Sequence, residues 1–227
     1  MKKIITFIYL SLIVASVHAF SFSDLAKKVS DTASTIAEND TTKALSSKQE
    51  TALTKYKESK EDFLKGFSII ADALGAIDLK KQADDALAKV ESQTAKNLDV
   101  ETVTKVTDEV IAKAESTTVS SVAKSATDSV KAKYEESMSY FKKAIDGEVE
   151  TAKVVKDVAF QARDAMSKAE SSVDKIKIAS TLKPSLELAN TIPEDISKSK
   201  DAVSAMLQKI KANGATLSSD LLDSLKK

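Results

Sequence analysis

The chain has 227 residues, in which 34 lysines and arginines face 34 aspartates and glutamates, with no cysteine, no tryptophan, four glycines and two prolines. So even a mixture of charge leaves no electrostatic footprint for nucleic acid, and the lone arginine, Arg163, argues against bidentate recognition of polyanions. The missing cysteines exclude disulfides and thiol chemistry, and the scarcity of turn formers points to a few long elements of helix-compatible composition.

Residues 1–19 have the three parts of a secretory signal. Lys2 and Lys3 form a positive start, Ile4 through Val17 is apolar, and Val17-His18-Ala19 offers a cleavage site after Ala19. The apolar run is short for a membrane span, which takes about 20 residues. Without cysteine there is no lipoprotein signal. The expected mature chain begins at Phe20, has a net charge of −2 once Lys2 and Lys3 are gone, and forms a single domain over 20–227. Its expected location is periplasmic or secreted.

Beyond the signal, apolar residues recur every three or four positions, the helical period. A first run reads Phe22, Leu25, Val29, Ala33, Ile36 and breaks at Asn39-Asp40, where Asn39-Asp40-Thr41 also matches a glycosylation acceptor. The second reads Leu53, Tyr56, Phe63, Phe67, Ile70, Leu74, with Gly75 as its C-terminal cap. Asp78 is expected to cap the third run, Leu79 to Val90, with Ile77 as a staple. Asp99 is expected to cap the fourth, Val103 to Ala114, which the polar stretch Ser116-Thr117-Thr118, with its two β-branched threonines, weakens or ends.

The longest stripe runs from Tyr134 through Met138, Phe141, Ile145, Val155, Val158 and Ala162 to Val173 and Ile176. It predicts either one helix over 129–180 passing through Gly147, or a hairpin at Asp146-Gly147. Lys183-Pro184 is expected to end it. Thr191, Pro193 and Glu194 then read as the start of a new helix with a capping box, carrying Ile196, Val203, Leu207 and Ile210. A short last helix with Leu221, Leu222 and Leu225 follows Asn213-Gly214. The sum is an all-α, elongated bundle of five to seven long amphipathic helices.

Little in this chain carries chemistry. Its one histidine, His18, lies in the export signal, so the mature chain holds neither His nor Cys. That argues against the zinc, haem and copper sites built on those ligands and against His-based nucleophile systems. The close acidic pairs are Asp84-Asp85, Asp108-Glu109, Glu135-Glu136, Glu148 with Glu150, and Glu194-Asp195. They stand among lysines and read as solvated surface. No catalytic, cofactor or metal residue is expected. The apolar segment Phe63–Leu79 reads as core, with a membrane-inserting hairpin as the alternative.

These features describe an exported, non-enzymatic bundle acting through protein–protein contacts, whether with a partner or with itself, as a structural, adaptor or periplasmic helper protein. The first alternative is an amphipathic protein that contacts lipid or membrane, including the pore-forming helical toxin type. The second is a carrier of a small apolar ligand in a slot lined by Phe63, Phe67 and Phe141.

Overall fold

The computed structural model describes residues 40–118, 128–169 and 171–212. The expected export signal, the run over 22–36, the Asn39 acceptor match and the helix expected around Leu221–Leu225 lie outside the described residues. All described regular structure is helical: α1 (Asp40–Ala73), α2 (Ile77–Glu91), a 3₁₀ turn (Ala95–Asn97), α3 (Val100–Ser116), α4 (Asp128–Lys168) and α5 (Ser172–Ala212). The all-α bundle class is as the apolar period requires.

Helix ends follow local chemistry. Gly75, at φ +65°, takes the left-handed position after α1. The Ala76 amide then donates to the Ala71 carbonyl (2.8 Å) and the Gly75 amide to that of Asp72 (3.1 Å), the paired bonds of a Schellman cap. Asp78 does not cap α2. It sits in the first turn, and the capping position is Ala76, which offers no side-chain bond. The tight Schellman exit leaves no room for another extended residue, so α2 starts one position earlier than the acid. Asp99 does cap α3, accepting the Thr102 amide at 3.0 Å and the Thr102 hydroxyl at 2.6 Å. These two bonds hold its carboxyl below the ordinary carboxylate range, the hydroxyl bond contributing most.

Two expectations about the C-terminal half are corrected. The long stripe is interrupted: α4 runs unbroken through Gly147 but ends at Lys168. Ser171 opens α5, its hydroxyl accepting the Asp174 amide at 3.0 Å. Nor does Lys183-Pro184 end a helix or Pro193 open one, since both prolines lie inside α5. Thr191 bonds back to the Glu187 carbonyl at 2.6 Å as a mid-helix threonine does, so there is no capping box with Glu194. Each proline deletes one backbone bond and costs about 3 kcal/mol in a helix interior. The buried residues on either side, Leu182, Leu188, Ala189 and Ile192, offset that by packing as one face.

The packing falls into two compact units, each built from discontinuous pieces of chain. The first, the three-helix unit, takes residues 40–54 of α1 with the α4 and α5 segments of Glu150–Pro193. Its core cluster is Leu45, Val158, Ala162, Ile178 and Leu182. The second, the five-helix unit, takes the described part of Lys55–Val149 with residues 194–212. It holds the rest of α1, all of α2 and α3, and the remaining parts of α4 and α5. Phe63, Phe67, Phe141, Leu64, Ile70, Leu74, Leu79 and Met206 are buried there.

Candidate functional site

In the five-helix unit, three charged side chains from three helices meet inside the core. Lys60 belongs to the apolar stripe of α1, one turn after Tyr56 and one before Phe63 and Leu64. Glu148 holds the equivalent place on α4, and Asp195 on α5. Their side chains are 2%, 0% and 2% exposed. The Lys60 ammonium lies 2.8 Å from Glu148 Oε1 and 2.8 Å from Asp195 Oδ2. Tyr56 donates its hydroxyl to Asp195 Oδ2 at 2.8 Å and also meets the Thr104 hydroxyl of α3 at 2.8 Å. Ser199 donates to Glu148 Oε1 at 3.2 Å. Four helices are thus tied through one polar knot.

Removing these charges from water costs several kcal/mol per ion, about as much as their mutual attraction returns. Burial pulls the Lys60 ammonium towards neutrality. The carboxyl groups of Glu148 and Asp195, with the hydrogen bond to Asp195, more than reverse that and keep the lysine charged. Burial and the Asp195 carboxylate raise the Tyr56 phenol well above its ordinary range, against the opposing pull of Lys60. Glu148 behaves differently. Burial pushes its carboxyl up, Asp195 pushes the same way, and the charge and hydrogen bond of Lys60 correct this only in part. Its second oxygen, Oε2, is buried without a hydrogen-bond partner.

Small residues let the helices come this close. A Cβ on Gly147 would stand 3.0 Å from Ser59 Cβ, and one on Gly66 would stand 2.7 Å from the Phe141 ring. So Gly147 is no hairpin turn but a point where α4 passes close to α1. The three rings of Phe63, Phe67 and Phe141 meet edge to face, with centroids 4.9, 5.7 and 5.0 Å apart. They fill one another's space where the sequence suggested an apolar slot.

At the other end of α3, the Lys209 ammonium from α5 caps the helix by donating to the carbonyls of Ala114 (2.8 Å) and Thr117 (2.9 Å). Lys198 bridges Asp108 (2.8 Å) and Glu194 (2.9 Å), and these bonds hold its ammonium above the ordinary lysine range. Beside this end lies an open polar groove of ≈ 450 Å³ between the α1–α2 turn and the end of α3, lined by Asp78, Lys113 and Ser116 among others.

The close acidic pairs divide. Asp84, Asp85, Glu135, Glu136 and Glu194 are exposed and Asp108 half-buried, whereas Glu148 and Asp195 are buried. For those two the reading as solvated surface is overturned, because Lys60 arrives from a helix remote in sequence and lies 2.8 Å from both. The apolar side chains Phe63, Phe67, Ile70, Leu74 and Leu79 are core, and Ile77 alone of that segment's large ones is largely exposed. Among the described residues no helix is long and apolar enough to cross a membrane, and no group of three or more acidic, His or Cys side chains is placed to hold a metal ion. Comparison with protein-family models, with curated proteins and with solved structures gives no match.

Proposed function

We propose that this chain is an exported, non-enzymatic helical bundle that works by protein–protein contact, as a structural, adaptor or periplasmic helper protein, and that its contact is an amphipathic helix of a partner chain laid against the three-helix unit. The supporting observation is Phe160 on α4, 75% exposed in the unit with the thinner core. Val154, Ala165, Met166 and Ala169 pack against that core only partly covered. A lone exposed apolar residue is ordinary. Phe160 stands on the outer face of α4, roughly 120° round the helix from Val154 and from Met166, so a partner helix laid along that face would bury it as an anchor. Light scattering and site-specific crosslinking from position 160 test the reading. A complex that forms with the native chain and is lost in F160S supports it. A monomer that yields no crosslink from position 160 disposes of it.

The lipid reading draws on Ile77, 79% exposed in the α1–α2 turn. Flotation with anionic vesicles separates the two, because F160S and I77S then act on different assays.

A further inference from the structure

The five-helix unit buries two carboxylates around one ammonium. Glu148 and Asp195 both lie 2.8 Å from Lys60 Nζ. If all three were ionised, the knot would hold one uncompensated negative charge out of reach of water. The charged groups that act on Glu148 are Lys60 from α1 and Asp195 from α5; Tyr56 of α1 is bonded to Asp195, and the neutral Thr104 hydroxyl of α3 to Tyr56. None of them supplies the missing positive charge.

The oxygens show where the imbalance falls. Asp195 Oδ2 accepts from both Lys60 and Tyr56. Glu148 Oε1 accepts from both Lys60 and Ser199. Glu148 Oε2 is buried and accepts from nothing. An ionised carboxylate with one bare oxygen in a dry core is the poorest arrangement this knot could adopt. A carboxylic acid with its proton on Oε2 leaves the bonds at Oε1 intact and makes the knot neutral.

We infer that Glu148 takes up a proton from solvent on Oε2 when the chain folds, and that this proton makes the five-helix unit a pH-responsive module, tighter in mild acid and looser as pH rises. The sign follows from linkage. Glu148 binds its proton more firmly in the fold than in the unfolded chain, where its ordinary value is 4.5. The stabilisation is therefore complete below that value and is lost as pH rises through the folded one. Ordinary paired carboxylates do the reverse. The consequence is a unit that relaxes on moving from an acidic to a neutral compartment and exposes its buried helix faces there.

The test is denaturant unfolding of the full chain between pH 4.5 and 8 at constant ionic strength, followed by near-ultraviolet circular dichroism. The chain has no tryptophan, and its tyrosines Tyr56, Tyr134 and Tyr140 all belong to the five-helix unit, with Tyr9 in the export signal. E148Q keeps the neutral shape and cannot ionise. The ratio of wild-type to E148Q folding constants should fall as pH rises, at up to about tenfold per pH unit, the limit for one proton. The other described carboxyl raised above its usual range is Asp62, half-buried on α1. D62N is the control and should keep the wild-type slope.

Infrared spectroscopy of the native chain and D62N provides a readout that does not depend on E148Q folding. A protonated-carboxyl band should persist in both to a higher pH than in the denaturant-unfolded chain. The inference is overturned if the ratio is flat, if it rises with pH, if D62N alone removes the slope, or if the folded chain's band disappears no later than the unfolded chain's.

Discussion

The two units use the same three long helices to opposite ends. The five-helix unit seals its interior with edge-to-face phenylalanines and then places a lysine, two acids and a tyrosine among them. The three-helix unit closes on Leu45, Val158, Ala162, Ile178 and Leu182, without a ring or a buried ion pair in that cluster. A part-buried polar contact there, Ser185 to Gln49, is long at 3.3 Å. Aliphatic packing is tolerant of sliding, because one small side chain replaces another with little loss. A polar knot is intolerant, because any other register strands a charge. The contrast suggests a division of labour: one unit holds the helices in register, and the other stays adaptable enough to accept a partner.

The largest way to break this contrast is to remove the one cation. K60M leaves the Asp195 carboxylate buried beside Glu148 with no counter-charge, and should cost about 3–5 kcal/mol, read as a drop in the denaturant midpoint. Replacing the whole knot, as in K60M/E148L/D195L, should recover most of that loss while weakening register, seen as reduced tyrosine dichroism at unchanged helix content. If K60M proves near neutral, the knot is wetter than its burial implies. In the other unit, L182A removes one of five core side chains and should cost about 2 kcal/mol, the low end for such a truncation, because small neighbours can close on the gap. The same unfolding curves measure it, and a loss as large as that of K60M would erase the distinction.

Much of this fold was legible from spacing alone. Period, phase and the caps at Gly75 and Asp99 are local properties, set by a few neighbouring residues. The prolines were misread because their effect on one backbone bond is local, whereas Leu188 and Ile192, which keep α5 continuous, act through packing. The end of α4 was missed because Ala165 and Ala169 are too small to mark a face, so the stripe ran on past Lys168. Ser171, three residues before Asp174, was the overlooked start signal. The knot had a signal too. Lys60, Glu148 and Asp195 each fall in phase with the apolar stripe of their own helix. One such residue is usually a tolerated exception, and three on three helices invite pairing. Which ones pair is a matter of tertiary contact across 88 residues for Lys60 with Glu148, and that is not written in any single stripe.

A smaller effect sharpens the electrostatic side of the comparison. D99A removes the cap of α3 and should cost about 1 kcal/mol. Its pH dependence runs opposite to that of Glu148. The Asp99 carboxyl is lowered by the Thr102 hydroxyl and amide, so its contribution is present above the ordinary value of 3.8 and lost as pH falls below it. Acid titration of the wild type against D99A by circular dichroism should show the difference vanish at the acid end. A difference that instead stayed constant on acidification would mean that the cap works through shape rather than charge.

The smallest expected change in stability is also the most telling for function. Phe160 is 75% exposed, so F160S removes little buried area and should alter the midpoint by no more than about 0.5 kcal/mol. An exposed aromatic contributes little to a free bundle but a great deal to a contact that buries it, where anchors of this kind dominate the energy. If the three-helix unit is the docking unit, F160S should leave folding untouched and abolish association, the reverse of K60M at equal protein concentration. A variant that loses both together would place Phe160 in the scaffold and return the contact surface to the five-helix unit, with Ile77 as its next exposed large apolar side chain.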